Sequence, residues 1–402
     1  MTPLNFGHSK AQRDFWHTLA RRLISKEQTP FYICSIAPIE QALEELDTAF
    51  AGLPLKHWLS FKTQPLHPLI RWWQQQGRGV EVVSEFEFLS ALQEKFSPQQ
   101  ILVNGPAKHH WLSRHAVRDI SVNFDSVNEA KALLPLAKKL NWRIGIRINT
   151  REEFDSEAPE FPTHFGFLGD EAVSILKKLQ REKVRLEMVH FHLRTNIGHA
   201  AVYQRALDEV SEICRAAKFS PKIINCGGGF PAPNVLNREG KPVNATFRLP
   251  EMRDVYQQLL KQFPTVDEIW LENGRWLSAR SGVLVVKILD VKQRGDMRYL
   301  VCNGGRTMNA MISAWVQHEI TSIPTRTGKT IATTVNGPTC MPFDHLTRRP
   351  LPASLRVGDH LLWHDAGAYH LSWETRFSHG LPSVFWHDGK QIKKVRERES
   401  FA

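Results

Sequence analysis

Cysteine is scarce in this sequence and forms no recognisable pattern. The five cysteines, Cys34, Cys214, Cys226, Cys302 and Cys340, are widely spaced and include no C-x-x-C pair. Disulfide frameworks and structural zinc sites need closely spaced or regularly repeated cysteines. The sequence therefore predicts neither of them, and we expect no bound metal.

Long apolar runs, repeats and low-complexity segments are also lacking. No run approaches the 18 or more apolar residues that cross a bilayer, and the first ten residues are polar. We therefore expect a cytoplasmic protein without a membrane partner. The chain has 402 residues, of which 42% are hydrophobic and 23% are charged, which is typical of a globular protein with a large core.

Acidic residues are fewer than basic ones, 41 against 52, giving a formal net charge of +11. Such an excess could attract nucleic acid, an anionic membrane, or an anionic substrate and cofactor. The basic residues are spread along the chain, and their densest run, 393–398, lies at the end. The distribution favours an anionic small molecule and argues against nucleic acid.

From about residue 57, short runs rich in Val and Ile alternate with amphipathic segments, a pattern typical of βα units around a parallel sheet. The predicted helices include 129–140, 171–179 and 200–217. The predicted strands are 57–62, 80–84, 101–104, 120–124, 144–149, 186–192, 223–226 and 269–272. Eight such units predict a closed (β/α)8 TIM-type barrel over residues 36–275, with its chemistry at the carboxyl ends of the strands.

After residue 275 the sequence pattern changes to hydrophobic strands separated by turns, predicted at 283–291, 299–301 and 360–363. No helices of comparable length lie between these strands. This pattern predicts a second, all-β domain formed by residues 276–402 together with 1–35, which include the apolar run 31–34.

Unusual residues follow several of the predicted barrel strands. Lys62 lies in Ser-Phe-Lys62-Thr-Gln-Pro, and His192 lies in His-Phe-His192-Leu-Arg-Thr195. The run Cys226-Gly-Gly-Gly229-Phe-Pro and the segment Glu272-Asn-Gly-Arg275 follow later strands. A glycine turn and an arginine suit a phosphate, and a lysine buried at a strand end can form an imine. Each motif alone is weak, since most glycine runs are only turns.

Taken in order, these residues resemble the fold-type III pyridoxal-phosphate decarboxylases, which act on ornithine, lysine, arginine or meso-diaminopimelate and share an alanine-racemase-like barrel. Further matches are Gly77-Arg-Gly-Val-Glu-Val-Val-Ser84, Gly337-Pro-Thr-Cys340-Met-Pro-Phe-Asp344 and Gly367-Ala-Tyr369. The resemblance covers almost the whole chain. It implies pyridoxal 5'-phosphate (PLP) as the cofactor and decarboxylation as the reaction.

The resemblance also implies residue roles. Lys62 would bind PLP covalently, His192 would stack on the pyridine ring, and Glu272 would keep the ring nitrogen protonated, which makes the ring an electron sink. The residues that would cradle the phosphate are Gly227, Gly228, Gly229, Thr195, Arg275 and Tyr369.

In the resembled family, the cysteine loop and the following aspartate come from the partner subunit. Cys340 would then reprotonate the α-carbon, Asp344 would complete the partner's substrate site, and the enzyme would be a homodimer with shared active sites. A free cysteine is otherwise most often a small buried hydrophobe. The matching Gly-Pro-Thr-Cys segment favours the catalytic interpretation.

The sequence departs from the resembled family where the far end of the substrate would bind. Asn303 and Met341 stand at positions that carry acids in the ornithine-type enzymes, and Ala310 and Ala314 stand where the diaminopimelate enzymes have Arg and Tyr. Without paired carboxylates, a buried distal ammonium would be costly. The added cations Arg194 and Arg306 favour a bulky anionic substrate.

This combination resembles the branch of the family found in carboxylate siderophore pathways, including vibrioferrin and achromobactin synthesis. The resemblance implies decarboxylation of a citrate-conjugated amino acid such as O-citryl-L-serine. The alternatives are a free diamino acid (diaminopimelate, ornithine or lysine), carboxynorspermidine, or a noncatalytic regulator on the same fold. The retained Lys62, His192, Glu272 and Cys340 argue against the regulator, and the cysteine loop argues against a racemase.

Overall fold

The computed structural model describes residues 6–153, 163–308 and 316–400. The helices in this part of the chain are α1 (Lys10–Ile24), α2 (Ala37–Ala49), α3 (His67–Gln75), α4 (Glu85–Gln93), α5 (His109–Leu112), α6 (Val127–Lys139), α7 (Gly169–Arg181), α8 (Ala200–Ala217), α9 (Leu249–Gln262), α10 (Arg275–Ser278) and α11 (His370–Trp373). Short 3-10 helices span Phe61–Thr63, Pro98–Gln100, Arg151–Glu153 and Ala279–Ser281.

The strands are β1 (Phe31–Ser35), β2 (Leu55–Ser60), β3 (Gly79–Val82), β4 (Ile101–Val103), β5 (Ser121–Phe124), β6 (Arg143–Arg147), β7 (Leu186–His190), β8 (Ile223–Asn225), β9 (Glu268–Leu271), β10 (Gly282–Arg294), β11 (Met297–Cys302), β12 (Ile320–Ile323), β13 (Thr330–Asn336), β14 (His345–Pro352), β15 (His360–Trp363), β16 (Ser383–His387) and β17 (Ile392–Arg396).

Contacts divide the chain into two compact units. The sheet unit consists of Met1–Leu43, Ala232–Ala245 and Arg275–Ala402, and the barrel unit of Glu44–Pro231 and Thr246–Gly274. The segments 36–43 and 232–245 group with the sheet unit, although they lie inside the predicted barrel bounds of 36–275. The domain bounds given in the sequence analysis, 36–275 for the barrel and 1–35 with 276–402 for the second domain, stay a prediction.

Strands β2 to β9 form a closed parallel barrel in sequence order, and β9 pairs with β2 to complete it. Side chains fill its interior, among them Trp58, Leu102, Met188, Ile223 and Trp270. The two tryptophan rings lie 4.3 Å apart between centroids. Because the interior is packed, polar chemistry is confined to the mouth, where the strands run out into loops.

The barrel prediction is confirmed strand by strand, but several predicted strands extend too far. β2 ends at Ser60, β7 at His190 and β9 at Leu271. Lys62, His192 and Glu272 therefore lie one or two residues beyond their strands, in the turns of the mouth. Their backbones leave the sheet there, which frees the side chains from the alternation imposed by a strand.

The sheet unit is built on a mixed sheet in the order β14-β13-β11-β10-β1-β16-β17, to which β15 and β12 are added through β10. As predicted, the run 31–34 forms a strand of this sheet and pairs with β10 and β16. The expectation of an all-β domain missed α1. This helix has a capping box between Ser9 and Gln12 and packs its apolar face on the sheet core.

Among the described residues, no helix is long and apolar enough to cross a membrane. All five cysteines are free thiols, and Cys340 is the exposed one.

Candidate active site at the barrel mouth

Glu272 is the centre of a buried polar cluster just after β9. Its Oε1 accepts hydrogen bonds from Asn104 Nδ2 and Asn225 Nδ2, each at 2.6 Å. His190 Nε2 and His192 Nδ1 each lie 3.5 Å from one of its oxygens. Burial raises the pKa of Glu272, but the two histidines outweigh burial and hold that pKa well below its ordinary value. The carboxylate is therefore charged and fixed in orientation.

His192 presents a partly open ring beside this carboxylate. Its side chain is 34% exposed, and the Gly228 N–H donates to Nδ1 at 3.3 Å. The barrel mouth withdraws the ring from water and so lowers the pKa of His192, although Glu272 acts in the opposite direction. The ring is therefore neutral, with its Nδ1 lone pair turned inward. A flat ring of this kind suits stacking on an aromatic group.

Lys62 lies in the 3-10 turn Phe61–Thr63 and points its ammonium at a carboxylate that sequence reasoning missed. Lys62 Nζ donates to Glu81 Oε2 at 2.8 Å, and Ser60 Oγ donates to the same oxygen at 2.7 Å. Burial, and then the neighbouring Glu81, raises the pKa of Glu87 to about 7. The lysine is therefore anchored in the mouth beside two acidic side chains.

Glycine is required in the turn after β8. Gly227 and Gly229 have φ of +63° and +103°, a region that other residues avoid. A Cβ on Gly228 would lie 2.6 Å from the Glu272 carbonyl oxygen. The Gly227 N–H donates to Asn225 Oδ1 at 2.9 Å, so it is already engaged by the protein. The turn brings its backbone close to the ring of His192, while Thr195 lies exposed in the loop after β7.

Two further residues predicted to bind phosphate meet within the sheet unit. The Arg275 guanidinium carbon lies 4.8 Å from the centroid of the Tyr369 ring, a cation–π arrangement. Tyr369 has φ of +66°, and its ring stacks on Trp373 at 5.5 Å. The structure thus places Arg275 beside Tyr369, and their shared role in binding phosphate stays a prediction.

The cysteine loop also belongs to the sheet unit. Cys340 is exposed, whereas Asp344 is buried and accepts hydrogen bonds from Arg306 N at 2.6 Å, Thr339 N at 3.0 Å and Thr339 Oγ1 at 2.6 Å. Both Asp344 oxygens therefore hold the loop of their own chain. A role for Asp344 in a partner's site stays a prediction.

Most of the residues predicted to contact the distal group of the substrate make other contacts within the protein. Asn303 donates to Thr29 O and Oγ1 at 2.7 and 2.8 Å and accepts from Lys287 N at 2.8 Å, so its amide serves the sheet unit. Arg194 Nη1 donates to Glu152 O at 3.0 Å.

The side chain of Arg306 has a long contact of 3.4 Å with Phe343 O. Met341 is half-buried, and Ala310 and Ala314 lie outside the described residues.

The chain is similar to known proteins in sequence and in fold. The model of the pyridoxal-dependent decarboxylase family, pyridoxal binding domain, matches residues 36–279. The diaminopimelate decarboxylase of Zymomonas mobilis is 24% identical over 397 residues, covering 92% of this chain and 90% of that protein. That of Escherichia coli K12 is 24% identical, covering 83% of each chain. The crystal structure of diaminopimelate decarboxylase from Helicobacter pylori complexed with L-lysine superimposes with a TM-score of 0.81 at 23% identity, covering 95% and 97% of the two chains.

The family match and the relatives show that the protein is a PLP-dependent carboxy-lyase. The chain belongs to the pyridoxal-dependent decarboxylase family, and PLP is its cofactor. The residues present fit the group, because the charged Glu272 carboxylate suits a protonated ring nitrogen and the turn at 227–229 has no room for side chains. The relatives named above are diaminopimelate decarboxylases, whereas the sequence motifs favoured the siderophore branch.

Proposed function

We propose that this decarboxylase removes an α-carboxylate from diaminopimelate. The observation that carries the proposal is the match to diaminopimelate decarboxylases along 92% of the chain and 90% of the relative. Such coverage includes the sheet unit as well as the barrel, and in the resembled family residues from both contact the substrate. Met341 and the engaged amide of Asn303 offer no carboxylate to a distal ammonium, and diaminopimelate carries one as ornithine and lysine do, so the proposal rests on the match to the relatives.

Each barrel residue has a defined task in this proposal. Bound PLP supplies an electron sink for the pair of electrons left on the α-carbon when carbon dioxide departs. Lys62 is the attachment residue, and Glu81 holds its amine in the mouth. Glu272, oriented by Asn104 and Asn225, keeps a proton on the ring nitrogen, and His192 covers one face of the ring.

We also propose that Cys340 delivers a proton to the α-carbon within a homodimer whose sites are shared between chains. The support is the exposure of this cysteine among otherwise buried ones. Mixing an inactive Lys62→Ala chain with an inactive Cys340→Ala chain should restore part of the activity. No recovery after confirmed subunit exchange would mean that each site is formed by one chain.

A second candidate substrate is a citrate-conjugated amino acid such as O-citryl-L-serine. The uncharged Met341 and the engaged Asn303 favour it, since a citryl group brings carboxylates and no distal ammonium. Arg194 and Arg306 would then bind the citryl carboxylates, and arginine is well suited to do so. Arg194→Ala and Arg306→Ala should in that case raise KM for the conjugate without changing the spectrum of the bound cofactor.

Carbon dioxide release, measured in parallel on diaminopimelate, O-citryl-L-serine, ornithine, lysine and serine, decides between these substrates. The proposal expects the highest kcat/KM for diaminopimelate. A higher value for the citryl conjugate would replace diaminopimelate with the second candidate, and a preference for ornithine or lysine would reject both. A protein that binds PLP and decarboxylates none of the five would have a different substrate.

A further inference from the structure

His190, His192 and Glu272 form a group of three potential metal ligands at the barrel mouth. One donor atom from each lies within 4.8 Å of the others. His190 is the last residue of β7, and His192 follows two positions later, with the centroids of the two rings 6.3 Å apart. Glu272 follows β9 and approaches from across β8. The three side chains therefore converge from two directions.

His190 helps to hold down the pKa of Glu272, but the proposed function gives it no contact with substrate or cofactor. The residue is 2% exposed, and neither of its ring nitrogens has a hydrogen-bond partner. The contact of 3.5 Å from Nε2 to Glu272 Oε1 is longer than an ordinary hydrogen bond. Buried imidazoles are nearly always paired, so this ring has an unused donor or acceptor directed at the carboxylate.

The chemistry and spacing suit a divalent transition metal. Histidine nitrogens at about 2.0–2.1 Å and carboxylate oxygens at about 2.0–2.2 Å from zinc place tetrahedral ligand atoms roughly 3.4 Å apart. His190 Nε2 lies 3.5 Å from Oε1 of Glu272, and His192 Nδ1 lies 3.5 Å from its other oxygen, Oε2. Three protein ligands with one open position are the usual arrangement of accessible zinc sites.

The surroundings also prepare these ligands. The two amide donors, Asn104 and Asn225, both use Glu272 Oε1, which leaves Oε2 facing His192. The Gly228 N–H donates to His192 Nδ1, so that nitrogen carries a lone pair rather than a proton, and an ion bound at Nδ1 replaces this hydrogen bond. Fixed ligands of this kind lose little freedom when an ion binds.

We propose that the cofactor-free chain binds Zn²⁺ through His190, His192 and Glu272, and that this ion excludes PLP. The exclusion rests on the proposed function, in which His192 and Glu272 contact the pyridine ring. A metal on these two residues occupies the space of the ring and neutralises the carboxylate. Zinc therefore acts as a competitor of cofactor loading.

The first test uses the full-length protein after removal of PLP with hydroxylamine and of metals with EDTA. Titration with Co²⁺, followed by the visible absorption of a four-coordinate ion, should give one Co²⁺ per chain that Zn²⁺ displaces. His190→Ala should weaken the affinity about 100-fold. His199→Ala, which changes an exposed histidine at the start of α8, should leave it unchanged.

If His190→Ala fails to fold, His190→Gln provides the same comparison with a side chain that preserves more of the volume. Binding of equal strength in wild type and in either folded His190 variant would overturn the site. Because this titration needs neither PLP nor substrate, its result is independent of the proposed reaction.

The second test follows the return of bound-cofactor absorbance when PLP is added to the same metal-free protein. Zinc should slow loading of the wild type, EDTA should restore it, and the His190→Ala chain should load PLP in the presence of zinc. Equal zinc sensitivity in wild type and His190→Ala would overturn the proposal. Metal binding at the three residues without any effect on loading would overturn the exclusion and, with it, the cofactor roles given to His192 and Glu272.

Discussion

Two clusters of histidine and carboxylate, one in each unit, differ in how completely they are closed. In the barrel unit, Glu272 faces His190 and His192 at 3.5 Å each. In the sheet unit, His8 is held between Glu319 at 2.7 Å and Asp365 at 2.8 Å.

The short contacts of His8 place a carboxylate oxygen beside each of its ring nitrogens. The loose contacts of Glu272 leave its second oxygen, and the ring of His192, available to a bound group. The difference separates a cluster expected to stabilise the fold from one to which we assign a role in the reaction.

The largest expected effect comes from removing Lys62, the residue proposed to attach PLP beside the cluster of Glu272, His190 and His192. Lys62→Ala should lower kcat by on the order of 10⁴-fold, because no other residue is proposed to bind PLP covalently. Borohydride reduction of the wild type should place the label on the peptide containing Lys62. The control Lys56→Ala removes an exposed lysine of β2 and should keep full activity. Label on another peptide would contradict the assignment.

Glu272→Gln should lower kcat by about 10²–10³-fold. The amide oxygen can still accept from Asn104 and Asn225, but the charge that keeps the ring nitrogen protonated is lost. Steady-state kinetics and the absorbance of bound PLP measure this effect. Glu268→Gln, the same change on β9 at a residue paired with Lys56, is the control. Similar kinetics in the two variants would remove Glu272 from the proposed mechanism.

In the cluster of His8, Glu319 and Asp365, the substitution His8→Ala should reduce the free energy of unfolding by about 3–5 kcal/mol. The substitution leaves Asp365, whose side chain is 1% exposed, without its cation, whereas Glu319, 12% exposed, keeps its ion pair with Arg13 at 2.8 Å. Denaturant unfolding of the loaded protein measures it, with His379→Ala, an exposed histidine, as the control. A loss below about 1 kcal/mol would mean that the ion pair contributes little.

The smallest effect is the pH dependence of that contribution. Burial lowers the pKa of His8, but Asp365 and Glu319 outweigh burial and raise it from 6.5 to about 9. A raised pKa means that the stabilisation is complete below pH 6.5 and disappears as the pH rises through about 9. The difference in unfolding free energy between wild type and His8→Ala should therefore shrink from pH 6.5 to 9.5. A difference that stays constant over this range would exclude a charged His8.

The barrel and most of its strands could be predicted because the alternation of Val- and Ile-rich runs with amphipathic helices is a local signal. The ends of the strands could not be predicted, because the apolar or alternating pattern of the strand continues in the sequence through Lys62 and His192 into the turn. The helix α1 was missed although Ser9, Gln12 and its apolar positions carry the signal of a capped amphipathic helix. The rule that chemistry follows the strands predicts the site at the mouth of the barrel.

Some residues of the site come together only because the barrel closes, so their contacts could not be predicted from the sequence. Asn104 and Glu272 are 168 positions apart, and each looks like an ordinary polar residue at a strand end. Asn303 was interpreted as facing the substrate, whereas its amide binds Thr29. Nothing in the local sequence distinguishes these two uses of an asparagine, because both place the residue in a turn.

The hydrogen bonds to Glu272 have a consequence for how such enzymes diversify. Asn225 ends the neighbouring strand β8, and Asn104 follows β4, which is separated from β9 by β2 and β3. The position of the carboxylate thus depends on the framework of strands rather than on the loops that vary in length and composition. Mutations in those loops can accumulate over evolutionary time while the reaction step is preserved. A lineage can therefore exchange one amino-acid substrate for another and keep its decarboxylation chemistry throughout the change.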